Sequence, residues 1–207
     1  MSKLTFSHAP MGGGKSLSTL VRHRHATTHD LNSILLVCNP RVEGVVSSRV
    51  GMEAPAIEIT ADTNLFDLLA KLHAQNPIYH VIADEAHFYT AKQIEELAQV
   101  VDVLDVDVEA YGLLSDYRTR LFEASARLVE LADEIITLPT RPLCACGRTA
   151  TLNARLVDGQ MVTDGEQILV GDIKGNKIRY EAVCRRCHIQ TKPKVQASLF
   201  TESLENN

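Results

Sequence analysis

Residues 8–16, His-Ala-Pro-Met-Gly-Gly-Gly-Lys-Ser, restrict the possible folds more than any other stretch of this chain. They stand between a short apolar strand over 4–7 and a segment with Leu17, Leu20 and Val21 at helical spacing. A glycine-rich turn between strand and helix aims several backbone N–H groups at one point, where the helix dipole also favours negative charge. A polyphosphate suits that point. In such a loop the lysine reaches the β- and γ-phosphates and the following hydroxyl meets Mg²⁺. Ala9, Pro10, Met11, Gly12, Gly13, Gly14, Lys15 and Ser16 are therefore the candidate nucleotide-binding residues. Ala9 replaces the glycine that usually opens the pattern, whereas the positions closest to phosphate keep theirs.

A chain of 207 residues with 45% hydrophobic content has room for one α/β domain and a small appendage. No apolar run approaches the roughly 20 residues of a membrane span, and the first residues lack a signal-peptide core. The expectation is a soluble, cytoplasmic protein with no membrane partner. A net charge of -5 argues against a nucleic-acid partner, whose footprint is clustered Lys and Arg. Of five cysteines, Cys38 stands alone and four fall between Cys144 and Cys187, a clustering that favours metal over disulfides.

Along the chain, His23, His25 and His29 read as a solvated helix face, and 33–38 reads as a strand covered on both sides. Residues 39–51 lack periodicity and read as a loop. Leu65, Leu68, Leu69 and Leu72 mark an amphipathic helix, and a second buried strand over 79–83 runs into Asp84-Glu85-Ala86-His87. Two acids after an apolar strand beside the phosphate loop suit a Mg-nucleotide enzyme: Asp84 serves the metal, and Glu85 takes a proton from a nucleophile. A helix over 91–104, a strand over 106–112, a segment over 113–122 carrying Arg118 and Arg120, a further helix and a strand over 134–138 follow. This alternation predicts a mostly parallel sheet flanked by helices, of the P-loop, RecA-like class. The character changes at Pro142. Cys144, Cys146, Cys184 and Cys187 bracket short alternating segments, over 151–157, 167–170 and 180–183, and match a structural Zn²⁺ site, with His188 as a substitute ligand. The expected division is a P-loop nucleotide-binding domain over 1–141, which the resemblance below makes a kinase domain, a zinc-anchored module over 142–195 and a polar tail over 196–207.

This order of parts resembles the type II, zinc-containing thymidine kinases over nearly the whole chain. The family's Gly-Pro-Met-x-x-Gly-Lys-Ser/Thr is similar to residues 9–16, its Asp-Glu-x-Gln-Phe to Asp84–Phe88, and its Gly-Leu-Asp-x-Asp-Phe-Arg-x-x-Pro-Phe to residues 112–122. The resemblance implies a homotetramer that uses ATP, Mg²⁺ and structural Zn²⁺ to phosphorylate the 5′-hydroxyl of thymidine in nucleotide salvage. It also implies Glu85 as the base, with Lys15 and Arg118 on the transferred phosphoryl. Met11, Phe88, Leu113, Tyr117, Phe122 and Asn153 would then surround the nucleoside, closed by a lasso carrying Gln167, Leu169, Gly171 and Tyr180. Arg148 and Arg155 fall where family members carry arginine.

Several departures fall in that pocket. His87 replaces glutamine, Leu114 an acid, Leu121 proline, and Asn153 a pyrimidine-facing threonine; after the second strand, Glu43 stands for the expected aspartate and Val45 for the arginine. They leave open a kinase for a modified or different deoxynucleoside. Asp84–His87 is also spelled as a DEAH box, the mark of nucleic-acid-stimulated ATPases, although these need two lobes around ATP. A third reading is a zinc module that binds partners through Arg185, Arg186, Lys192 and Lys194.

Overall fold

Apolar runs over 34–37 and 81–83 lie at the centre of the protein, as strands buried on both faces require, whereas the central strands over 4–8 and 107–112 alternate apolar with polar residues. The computed structural model describes residues 1–38, 42–167 and 178–190. The central strands are β1 (Leu4–His8), β2 (Ser33–Val37), β6 (His80–Asp84), β7 (Asp107–Gly112) and β8 (Glu134–Thr137), with the two-residue β5 (Ile57–Glu58) at one edge. They make one six-stranded sheet, in the order β5-β2-β6-β7-β1-β8, and every pair is parallel.

Helices cover both faces. Val81 and Ala83 of β6 pack with Leu65 and Leu69 of α2 (Leu65–Gln75), Ile94 and Leu97 of α3 (Ala91–Leu104) and Leu128 of α4 (Glu123–Leu131). Ile82, between them in sequence, faces the other way, toward Leu20 of α1 (Lys15–Thr28), as the two-residue period of a strand requires. Local chemistry fixes the helix starts. Asn64 accepts the Asp67 N–H at α2, and Thr90 and Gln93 form a reciprocal capping box at α3. The carboxyl ends of β1, β6 and β7 lie on one edge of the sheet, where ligands bind in open parallel sheets.

Four expectations change. The strand bearing Asp84 is not beside β1, since β7 lies between β6 and β1. The stretch read as a loop holds β3 (Val45–Ser47), paired antiparallel with β4 (Glu53–Pro55) and anchored by buried Val46 against Leu20 and Leu35. His23 is not on a solvated face: its Nδ1 lies 2.8 Å from Ser33 Oγ, which lies 2.9 Å from His80 Nε2. Gln167 lies outside any strand, with 168–170 of the same expected segment outside the described residues, and β10 (Gln160–Val162), which has no apolar run long enough to read, joins β9 (Leu152–Val157).

After Pro142, β10, β9 and β11 (Ile178–Val183) form an antiparallel sheet followed by α5 (Arg185–Gln190). Its small core is Cys144, Ala150, Ala154, Leu156, Val183 and Cys184. Leu169, Gly171, Lys192, Lys194 and the tail over 196–207 lie outside the described residues.

Candidate active site

The glycine turn after β1 ends at Gly14, the N-cap of α1, whose φ of 78° and ψ of 14° are left-handed and open to glycine at little cost. Lys15 folds back over the turn: its Nζ donates to the carbonyls of Ala9 at 3.1 Å and Pro10 at 3.2 Å. Burial lowers its pKa, while Glu85 and Asp84 act to raise it. At the end of β6, Asp84 is 2% exposed, and burial raises its pKa against the opposing hydrogen bond from Ser16. Thr19 Oγ1 stands 3.4 Å from the same carboxylate. A hydroxyl hydrogen-bonded to a carboxylate, next to a phosphate cradle, offers the hard oxygen donors that fit Mg²⁺.

Glu85, the next residue, has φ 51° and ψ 34°, a left-handed conformation that is uncommon for a side chain of its size. It opens the short 3₁₀ turn Ala86–Phe88 and lines a cavity of ≈ 630 Å³ together with Gly12, Gly14, Lys15 and Ser16. Strain of this kind persists where surrounding contacts enforce it. In the turn that follows, His87 Nδ1 accepts the Leu113 N–H at 3.2 Å and lies 3.6 Å from Glu85 Oε2. Since Nδ1 is the acceptor, the ring proton sits on Nε2. Burial, and then the charge of Lys15, hold this histidine well below its ordinary pKa, so it is neutral. Its ring packs on Phe88 at 4.0 Å and Phe122 at 4.8 Å.

Of the residues expected around a nucleoside, Met11, Phe88, Leu113, Tyr117, Phe122, Asn153, Gln167 and Tyr180 all line the same cavity. Arg118 does not. Its Nε and Nη2 each lie 2.9 Å from Asp116 Oδ2, and its Nη1 donates to the Gly165 carbonyl at 3.1 Å. Asn153 spends its amide on the protein: Oδ1 accepts the Met11 N–H at 2.8 Å, and Nδ2 donates to the Ser115 carbonyl at 3.0 Å.

The residue that sequence reading undervalues is Arg155, 1% exposed and two positions beyond Asn153 on β9. Its guanidinium lies 3.8 Å from the centre of the Tyr117 ring, its Nε donates to Tyr180 Oη at 2.9 Å, and Nη2 donates to the Gln167 carbonyl at 3.0 Å. A buried cation sandwiched in this way needs both its hydrogen bonds and its π face. The hints in the sequence are the alternation along β9 and the family resemblance, which places an arginine at this position.

The ligand atoms of Cys144, Cys146, Cys184 and Cys187 all lie within 4.8 Å of one another, with the Sγ atoms of Cys146 and Cys184 3.6 Å apart. Zn–S bonds of about 2.3 Å in a tetrahedron put sulfurs about 3.8 Å apart, so the four fit that ion. The backbone N–H of Cys146 helps to bring the Cys144 thiol down to about 6, while the neighbouring thiols push Cys187 up to about 12. Crowded thiols hold the last proton until a cation replaces it. His188 is outside this cluster. It is 1% exposed, and its Nε2 donates to the Tyr117 carbonyl at 2.8 Å.

A thymidine kinase family model matches residues 2–188. The thymidine kinase of Cutibacterium acnes is 45% identical over 193 residues, covering 92% of this chain and 89% of that protein. Those of Streptomyces avermitilis and Streptomyces coelicolor are 40% and 41% identical over 192 residues, each covering 91% of this chain and 89% of the relative.

Proposed function

The chain belongs to the thymidine kinase family, and from that membership we propose that it transfers the γ-phosphate of ATP to the 5′-hydroxyl of thymidine. The observation that carries the reading is one cavity that joins Lys15 and Glu85 to an aromatic enclosure formed by Phe88, Tyr117 and Phe122. Backbone N–H groups over 12–16 hold the phosphates and Lys15 balances their charge. Glu85, held by its backbone turn, takes the proton of the 5′-hydroxyl. The new O5′–P bond then forms as the bond from the γ-phosphorus to the β,γ-bridging oxygen breaks, and ADP leaves with that electron pair. Ser16 and Asp84 would hold Mg²⁺, which would supply positive charge to offset that of the phosphates. The four cysteines would hold a structural Zn²⁺ that anchors β9 and α5.

Asn153 is held by Met11 and Ser115, with one hydrogen bond at each end of its amide, and it keeps one amide N–H and one oxygen lone pair for a base. The DEAH spelling carries no helicase meaning in a chain of this family, and its His87 is packed among aromatic rings and bound to Leu113. We further propose a homotetramer in the cytoplasm, with the division near residue 142 separating the nucleotide and zinc-anchored parts. Light scattering on purified protein checks the assembly.

The decisive test is kcat/KM for thymidine beside a panel of deoxynucleosides, with ATP as donor and the monophosphate product quantified. Thymidine is expected to lead, and a clear advantage for another nucleoside overturns the substrate assignment. Glu85→Gln should lower kcat by about 10²–10⁴ and leave thymidine binding nearly unchanged.

A further inference from the structure

A phosphoryl group in flight spreads negative charge over its equatorial oxygens, and kinases of this kind place a cation there in addition to the loop lysine. Arg118 is poorly disposed for that task, since Nε, Nη1 and Nη2 are all engaged by Asp116 and Gly165. Arg49 has the opposite disposition. It sits in the turn between β3 and β4, closed by Ser48 N–H to the Met52 carbonyl at 2.8 Å and Gly51 N–H to the Ser48 carbonyl at 3.1 Å. Its Nη1 stands 3.9 Å from where a Cβ on Gly12 would be, in reach of the phosphate cradle. Arg49 also lines the main cavity with Lys15, Ser16 and Glu85. Among the described residues no carboxylate pairs with it, and its charge opposes that of Lys15 across the loop. Two cations within reach of one glycine turn frame a place for a phosphate. The β3–β4 hairpin gives the arm a fixed base, because Val46 is buried against Leu20 and Leu35.

We propose that Arg49 is a further catalytic residue, bearing on the γ-phosphoryl group of the nucleotide and stabilising it during transfer. The proposal rests on the reading of this protein as an ATP-dependent kinase. Arg49 keeps its protons throughout: the O5′–P bond forms, the bond to the bridging oxygen breaks with its electron pair on ADP, and the hydroxyl proton goes to Glu85.

The test compares wild type, Arg49→Lys and Arg49→Ala. In Arg49→Ala, kcat should fall by about 10³, with thymidine affinity within about threefold of wild type. Added guanidinium should raise the rate of Arg49→Ala, whereas urea at the same concentration should not. The affinity for the non-hydrolysable triphosphate AMPPNP should fall about tenfold more than that for ADP, because only the former carries a γ-phosphate. Equal losses for AMPPNP and ADP, or an Arg49→Ala enzyme with near wild-type kcat, overturn the assignment. Wild-type protein that binds AMPPNP but does not phosphorylate thymidine would instead overturn the functional reading, and the AMPPNP-to-ADP comparison would still decide the place of Arg49.

Discussion

Gly13 is where the smallest change in side chain should do the most harm. A Cβ there would meet the Ala9 Cβ at 2.5 Å and the Pro10 carbonyl oxygen at 2.9 Å, and neither belongs to a flexible side chain. Gly13→Ala must therefore open the turn that aims the N–H groups at phosphate. Calorimetric titration should show ATP binding largely lost, with a stability cost of about 1–3 kcal/mol. His87 makes a prediction about pH. Burial depresses its pKa in the folded chain, whereas the unfolded chain takes up a proton near its ordinary value of 6.5. The folded state is fully favoured above that value and loses the contribution as pH falls through it. Thermal melts from neutral pH down to about pH 5 should show Tm falling in wild type and falling less in His87→Gln. His8, His23 and His80 are shifted the same way by burial, so they account for part of the wild-type loss that remains in the variant.

Elements were legible in the sequence to the degree that a single residue pattern decides them. The strand over 33–37 is a continuous apolar run, and α3 carries both its periodicity and its capping box in adjacent letters. The β3–β4 hairpin was not legible, because three-residue strands have no period to detect and their pairing is set by Val46 reaching a distant core. Asn153 shows the same limit at the site. Position alone points it at a base, yet its partners Met11 and Ser115 lie 142 and 38 residues away in sequence. This one side chain ties β9 to the phosphate turn and to the segment after β7, so the phosphate cradle and the nucleoside enclosure should sense each other's occupancy. Asn153→Ala leaves the Met11 N–H and the Ser115 carbonyl without these partners, at a cost of about 1–3 kcal/mol. Thymidine affinity measured with and without AMPPNP should show their coupling reduced in Asn153→Ala. Asn153→Thr, which keeps a hydroxyl in reach of one partner, should retain part of it.

At the scale of the whole molecule, the parallel sheet and the cysteine module were both readable, one from alternating strands and helices and the other from two close cysteine pairs. The join between them was not, because it consists of contacts rather than motifs. Cys187 is followed at once by His188, whose Nε2 holds the Tyr117 carbonyl, and the Tyr117 ring in turn lies against the guanidinium of Arg155. A metal ion at the four sulfurs would therefore fix α5, through α5 the backbone at Tyr117, and through Tyr117 the wall of the cavity. The phosphate turn meets the cysteine module through the contact of Asn153 Oδ1 with the Met11 N–H, but its own geometry is set by β1 and α1. Stripping the metal with a strong chelator should consequently act unevenly. Thymidine affinity should collapse while ADP affinity changes by less than about threefold. A thermal scan should separate an early transition of the cysteine module from a later one of the six-stranded sheet. Restoring Zn²⁺ should recover thymidine binding in wild type. In His188→Ala, metal content should be retained and thymidine affinity should stay weak, because the ion would still be held but its link to Tyr117 would be cut. Parallel loss of thymidine and ADP binding on chelation would mean instead that the whole chain unfolds as one unit and that His188 carries no separate mechanical role.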